Sequence, residues 1–183
     1  MAAAIEMNRV SAALDLTQFC RTEYPRLVGT LALYCGDRLV AEELAQETLA
    51  RACAQWARVS DMTTPAGWTH RVAINLANSR FRRLAAERRA QDRAQTWSDA
   101  ADGPADLADA VAIRTAVSGL PVRQRTALVL RYYADLPVEQ VAAHLHTTAG
   151  AVHQLTHRAL EKLRSTFDVS EQPAPALETR HAS

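Results

Sequence analysis

Between Trp68 and Arg93 runs a stretch, WTHRVAINLANSRFRRLAAERRAQDR, that contains neither glycine nor proline. Its pattern predicts one helix. At about 100° per residue, Val72, Ala73, Leu76, Ala77, Phe81 and Leu84 fall on a broad apolar side. Trp68, Arg71, Asn75, Asn78, Ser79 and Arg82 fall on the opposite stripe. An indole, two amides, a hydroxyl and two guanidiniums on one face can stack on bases, bond to base edges and neutralise phosphates. From Arg71 to Arg93 seven arginines oppose Glu87 and Asp92, a local charge of +5, whereas the whole chain carries +1. A basic helix in a nearly neutral protein suggests a nucleic-acid footprint. The competing reading is a solvated face with scattered arginines.

The rest of the composition narrows the class. The 183 residues allow one or two small domains. Alanine and leucine dominate, Gly and Pro are few, and no alternating strand-like runs stand out, so an all-α fold is expected. The three cysteines, Cys20, Cys35 and Cys53, are unclustered and indicate neither a disulfide framework nor a CxxC metal site. Cys53 is read as a core residue and Trp56 as a packing residue. No signal-peptide pattern is present and no apolar run reaches about 18 residues, so a cytoplasmic protein without a membrane partner is expected. There is no P-loop, glycine-rich phosphate loop or recognisable nucleophile arrangement, so catalysis by this chain is not expected, and no cofactor is implied.

Punctuation divides the chain into two small helical domains joined by an acidic linker. Residues 1–14 read as a flexible arm and 15–93 as the first domain. Asp15–Cys35 is helical in spacing, with Pro25 as an irregularity. Gly36-Asp37 reads as a helix stop followed by a start, and Arg38–Trp56 as the next helix. Val59–Pro65 reads as a loop leading into the basic helix. Residues 94–110 form the linker, with Asp99, Asp102, Asp106 and Asp109, Gly103-Pro104 and, from Thr96 on, no basic residue. The second domain, 111–167, contains helices expected at Val111–Gly119, Val122–Tyr133, Val138–Leu145 and Ala149–Phe167, and the tail 168–183 reads as disordered. The last two helices, joined by the tight turn His146-Thr147-Thr148, have the helix-turn-helix pattern. Val152, Thr156, Ala159, Leu160 and Leu163 would face inward. Gly150, His153, Gln154, His157 and Arg158 would face outward, on the side that enters a major groove in that geometry.

Three segments, AEELAQETLARA (Ala41–Ala52), PAGWTHRVAINLANSRFRR (Pro65–Arg83) and Leu120–Arg164 with its LPVRQR and HRALEKLR, resemble in this order the sigma-70 family of RNA polymerase sigma factors, in particular its small extracytoplasmic-function (ECF) type, which has only domains 2 and 4. AEELAQETLARA (Ala41–Ala52) is similar to the family's polymerase-gripping helix. PAGWTHRVAINLANSRFRR (Pro65–Arg83) is similar to the family's A-W-L-Y-R-I-A-R-N-L-A-x-D-x-x-R-R. Leu120–Arg164 opens on LPVRQR and ends on HRALEKLR, like the family's L-P-x-R-Q-R and H-R-A-x-x-x-L-R around a helix-turn-helix. The resemblance implies a protein that directs bacterial core RNA polymerase to promoters and melts the −10 element. Glu43, Leu44, Gln46, Glu47 and Arg51 would dock on the β′ clamp helices. Ser60, Asp61, Thr63 and Thr64, with Trp68, Arg71, Asn75, Asn78, Ser79 and Arg82, would hold the opened −10 strand, a pocket for an extruded base offsetting the cost of unstacking. Arg123, Arg125, Thr148, Gly150, His153, Gln154, His157 and Arg158 would serve the −35 duplex. The β flap and an anti-sigma factor are the further partners the resemblance implies. The acidic linker would thread towards the RNA exit path.

Departures from the family pattern bear on specificity. His153 and Leu155 stand where the family often has Lys and Arg, Thr156 replaces a core Leu, and His146 replaces a turn Gly. Ile74 and Ser79 stand where Arg and Asp are usual. An unusual upstream sequence preference is expected, with a weak intrinsic DNA affinity of the second domain as the alternative. A stand-alone helix-turn-helix regulator is the main alternative, but it leaves AEELAQETLARA and the basic helix without a role. Two further readings are a zinc site among His144, His146, His153 and His157, which lacks a completing Cys or carboxylate, and a helical adaptor, which fails to explain the charge asymmetry.

Overall fold

A computed structural model describes residues 2–91 and 108–170. All eight elements among the described residues are helices: α1 (Ala2–Cys35), α2 (Arg38–Ala54), α3 (Trp56–Ser60), α4 (Pro65–Gln91), α5 (Ala108–Ser118), α6 (Val122–Tyr132), α7 (Val138–His144) and α8 (Ala149–Ser170). The fold is all-α, as expected. Most of the acidic linker and the tail from residue 171 lie outside the described residues; Asp109 lies in α5.

The first unit is built on the α1–α2 hairpin. Gly36, at φ +79°, ends α1 with its N–H on the Ala32 carbonyl at 2.9 Å. Asp37 then caps α2, its carboxylate accepting from the Val40 N–H at 3.1 Å. The stop-and-start read from Gly36-Asp37 is therefore what the chain does. The buried positions of α2 are Ala41, Leu44, Ala45, Thr48 and Ala52. Mostly small, they let α2 lie close against Leu27, Val28, Leu31 and Tyr34 of α1. The helix persists through Pro25, whose ring is exposed and whose missing N–H removes one rung of the ladder. Helix α1 also begins at Ala2, so the segment read as an arm continues the helix in this structure.

Several boundaries move. Helix α2 ends at Ala54 and Trp56 opens the short α3, so the expected single helix to Trp56 is broken at Gln55. Val59, placed in a loop by its sequence context, is the fully buried residue of α3. Helix α4 starts three residues earlier than Trp68, with Pro65 in its first turn. Its wholly buried face is Gly67, Thr69, His70, Ala73, Ile74 and Ala77, whereas Val72, Leu76, Phe81 and Leu84 are only half-buried. The apolar arc expected from periodicity is thus rotated, because α4 packs against α1 and α2 and also against α6 of the second unit. Cys53 is exposed rather than core: it follows Ala52, the last buried position of α2, and one step around the helix turns it outward.

Two polar groups are carried into the centre of the first unit. Glu23 and His70 are both almost wholly buried, with His70 Nε2 3.8 Å from a Glu23 carboxylate oxygen and Nδ1 3.3 Å from the Thr30 hydroxyl. Burial, then the Arg26 guanidinium, pushes the His70 imidazole down to about 4.

In the second unit α6, α7 and α8 form the expected helix-turn-helix with α5 leading in. Helix α6 is buried along Arg125–Leu130, since α8 covers one side and the first unit the other. The α7–α8 turn holds His146 at φ +49°, a left-handed backbone usually given to glycine. Thr147 N–H closes it on the Ala142 carbonyl at 2.9 Å. Thr156 is buried, as its spacing indicates, and its hydroxyl donates to the Val152 and His153 carbonyls at 3.0 and 2.9 Å, so the polar substitution leaves no orphaned group.

Two outcomes follow for stability. His70 is neutral when folded and titrates from about 6.5 when unfolded, so the unfolded chain binds the extra proton. The stabilisation is complete above about pH 6.5 and lost as pH falls towards about 4, roughly 3 kcal/mol in all. Urea unfolding across this window should show the loss, and His70→Gln should flatten it; an unchanged slope would assign the loss to other groups. His146→Gly should stabilise the chain by about 0.5–1 kcal/mol, the relieved strain exceeding glycine's extra unfolded-state freedom. A lower urea midpoint for that variant would mean that the imidazole makes a compensating contact.

Candidate functional site

The outer side of α2 carries the first candidate face. Glu43, Gln46, Glu47 and Arg51 are exposed on it. Glu47 accepts from Arg51 at 2.7 Å one turn on. Glu43 accepts from Arg80 of α4 at 2.9 Å, which ties this face to the basic helix. Leu44, grouped with them from the sequence, is placed in the core at 3% exposure and presents nothing outward. Leu39, missed in the sequence, is 78% exposed. It stands four, seven and eight positions before Glu43, Gln46 and Glu47, so it extends the same stripe with an apolar anchor. The signal was present: a leucine in the first turn of a helix whose inward spacing, 41, 44, 45, 48, excludes it.

The second face is α4 and the turn before it. Ser60, Asp61 and Thr63 are exposed at the end of α3 and in the turn; Asn75, Ser79 and Arg82 are exposed along α4. Arg82 donates to the Ser79 hydroxyl at 3.1 Å. Thr64, Trp68, Arg71 and Asn78 are half-buried. The stripe is one surface, but its inner edge is covered by the second unit.

The third face is the start of α8. Thr148 caps the helix, its hydroxyl accepting from the Ala151 N–H at 3.2 Å. Gly150 faces open space. His153, Gln154, His157 and Arg158 are exposed, and His157 lies 3.4 Å from Glu161. Arg158 is the one permanent cation among these four residues, so the face is weakly basic. Arg123 is exposed and donates to the Leu145 carbonyl at 3.2 Å, bracing the turn. Among the described residues no group of three or more His, Cys, Asp or Glu is arranged to hold a metal ion, and no helix is long and apolar enough to cross a membrane.

Arg125 stands apart from this third face. It is 8% exposed, with its guanidinium 4.8 Å from the Tyr34 ring centroid and 5.3 Å from that of Phe81. It donates to the Tyr34 carbonyl at 2.9 Å, and its Nε has no partner. The Tyr34 hydroxyl donates to Asn78 Oδ1 at 2.7 Å, which leaves the Thr126 hydroxyl to donate to the tyrosine oxygen at 2.9 Å. Thr64 reaches Gln140 of α7 at 3.4 Å, and Gly67 lies under Leu136 so closely that an added Cβ would meet its Cδ2 at 3.0 Å. Burial, then Arg71, then His146 push the His144 imidazole down. Helices α6 and α7 thus close over Thr64, Gly67, Arg71 and Asn78, the inner edge of the second face.

Comparison with known proteins agrees with this architecture. Residues 19–87 match the family described as Sigma-70 region 2, and residues 110–163 match Sigma-70, region 4. An RNA polymerase sigma-E factor of Streptomyces antibioticus is 29% identical over 167 residues, covering 90% of this chain and 91% of the relative. The ECF RNA polymerase sigma factor ShbA of Streptomyces griseus is 30% identical over 160 residues, 81% of this chain and 79% of the relative. ECF RNA polymerase sigma factor SigL of Mycobacterium tuberculosis is 29% identical over 173 residues, 88% and 96% of the two chains. The sigma factor RpoE of Bartonella quintana, solved in complex with the anti-sigma factor NepR, superposes with a TM-score of 0.71 over 85% of this chain and 98% of that one; at 23% identity it bears on the fold. Two sigma-70 regions in the right order, on the expected helices and within full-length relatives of that kind, place this chain among the ECF sigma factors of the sigma-70 family.

Proposed function

We propose that this sigma factor holds core RNA polymerase through the outer side of α2, opens and holds the −10 strand with the α3–α4 turn and the α4 stripe, and reads the −35 duplex with the N-terminal half of α8. The observation that carries the reading is the separation of three exposed faces of different chemistry. Glu43, Gln46, Glu47 and Arg51, with Leu39, make a polar face whose two carboxylates are each paired to an arginine and which carries one apolar anchor, suited to a protein surface that exchanges those ion pairs for its own. Asn75, Ser79 and Arg82 offer amide, hydroxyl and guanidinium on one helical stripe, suited to single-stranded DNA. Thr148, Gly150, His153 and Gln154 crowd the start of a helix whose opening turn is uncovered, suited to a major groove.

These roles cannot all be exercised in the closed arrangement. The names of the two promoter elements place them about 25 base pairs apart, roughly 85 Å along B-form DNA. Here the turn that would hold one of them is hydrogen-bonded to the helix-turn-helix that would read the other. The two units must part for promoter engagement. The sixteen residues between α4 and α5 can span at most about 55 Å, which together with the lengths of the two units suffices. The junction at Tyr34, Asn78, Thr126 and Arg125 is then a latch, and an anti-sigma factor is a partner that could act by holding it shut.

Glu47→Arg should weaken binding to core polymerase about tenfold or more with the helical content unchanged, whereas Asn75→Ala should leave core binding intact and reduce open-complex formation. Pull-down with core enzyme and permanganate footprinting of the promoter separate the two effects. Retained core binding by Glu47→Arg would remove α2 from the proposal. Tyr34→Phe deletes the phenol oxygen between Asn78 and Thr126, at a cost of about 1–3 kcal/mol to the closed form. Small-angle scattering should show a larger radius of gyration for this variant than for the parent chain; equal radii would mean that the hydroxyl does not govern closure.

A further inference from the structure

Cys20 and Cys53 are 33 positions apart in the sequence, yet the α1–α2 hairpin brings their sulfurs to 3.8 Å. Cys53 is exposed and Cys20 half-buried behind it, so one sulfur is open to a small reagent and the other is placed to follow. Immediately beside them Phe19 and Trp56 pack with ring centroids 5.0 Å apart, which fixes the last turn of α2 and the start of α3 against α1. Cys35, the third thiol, is fifteen residues further along α1, about 22 Å away by helical rise. Neither promoter recognition nor polymerase docking, as read above, uses the Cys20–Cys53 pair.

We propose that Cys20 and Cys53 are a modification site, a peroxide-oxidisable thiol pair that closes to an intramolecular, thiol-reversible disulfide between α1 and the last turn of α2. The Cys53 thiolate attacks one oxygen of hydrogen peroxide. The O–O bond breaks, the second oxygen leaves as hydroxide and is protonated to water, and Cys53 becomes a sulfenic acid. The Cys20 thiol gives up its proton, its thiolate attacks the Cys53 sulfur, the S–O bond breaks, and the expelled hydroxide takes up that proton to leave as a second water. Two thiols and one peroxide give one disulfide and two waters, with both electrons passing from the sulfurs to the peroxide.

The order of events follows from the surroundings. Burial, with the hydrogen bond and charge of the neighbouring Cys53 sulfur, pushes the Cys20 thiol up to about 11, which disfavours it as the first nucleophile. Conversion of Cys53 to a sulfenic acid removes the thiolate whose charge contributes to that rise. Closure needs the sulfurs to move from 3.8 Å to about 2.05 Å, within the reach of rotamer and small helix adjustments. The resulting tie joins α1 to α2, the helix that carries Glu43 and Glu47, just before α3 leads into the Asp61–Thr64 turn. Formation of the tie does not depend on the promoter reading.

The test uses the full-length reduced chain. It is treated with a small excess of hydrogen peroxide, quenched, denatured and alkylated, then measured by intact and peptide mass spectrometry. Two of the three alkylatable thiols should be lost, with a Cys20–Cys53 cross-linked peptide lighter by two hydrogens, and dithiothreitol should restore all three. Cys35→Ser should form the same bridge. Cys20→Ser should leave a Cys53 sulfenic acid that dimedone traps. Retention of all three thiols, a bridge between two chains, or over-oxidation of Cys53 with Cys20 still alkylated would each overturn the proposal.

Discussion

A single phenol stands at the centre of the closed form of this molecule. Tyr34 sits at the end of α1 with its ring wholly buried, and its one proton and its lone pairs are divided between the two units: Asn78 accepts, Thr126 donates. Its ring supports the Arg125 guanidinium and its carbonyl receives that side chain's hydrogen bond. A tyrosine this far from water is costly unless its hydroxyl is satisfied; here Asn78 of the first unit takes its proton and Thr126 of the second fills a lone pair. Burial pushes its phenol up, so it remains the neutral donor the arrangement needs. Around it the joint is completed by α5 lying along α1, by a buried apolar cluster that runs from Leu31 and Tyr34 to Val117, Leu120 and Leu128, by a 3.4 Å hydrogen bond from Thr64 to Gln140, by Leu136 over Gly67, and by Tyr133 against Gly29. The junction therefore combines a shared apolar core with a few specific polar links at Tyr34, Arg125 and Thr64.

Most of the local architecture could be read from the chain because its signals are local. Gly36-Asp37 and Asp135-Leu136-Pro137 punctuate by backbone conformation and capping chemistry that involve neighbours only, and the helices of the second unit fall within a few residues of where their spacing puts them. The faces built from single helices were legible for the same reason: Glu43 and Glu47, Asn75 and Arg82, His153 and Gln154 all stand outward. What could not be read depends on residues far apart meeting. Arg125 looks like a surface cation within VRQRTALVLRY until α1 and α4 cover it. The apolar arc of α4 is rotated by a second packing surface that no periodicity reveals. Cys53 was assigned inward although its helix turns it outward, and its nearness to Cys20 exists only once the hairpin forms.

The exposed face at the start of α8 carries less positive charge than phosphate attraction alone would favour. Its exposed residues are two imidazoles, an amide and Arg158, with His157 leaning on Glu161. Sequence-independent attraction to phosphate scales with permanent cations, so this face contributes little of it. Discrimination by hydrogen bonding to base edges, through Gln154 and the histidines, would then make up a larger share of whatever duplex affinity the unit has. Thr156, satisfied by its own helix, and the strained His146 show that the substitutions are accommodated in the fold without repacking.

The hydroxyl bridge at Tyr34 has a quantitative consequence for every ligand that needs the parted form. A junction worth about 3 kcal/mol leaves under roughly 1% of molecules open, and the apparent affinity of such a ligand is reduced by about the same factor, near 150-fold. The same arithmetic is reciprocal: whatever first prises the units apart hands that factor to the next ligand. Promoter DNA, which engages faces on both units, is a ligand of that kind, whereas the outer side of α2 is exposed already in the closed form.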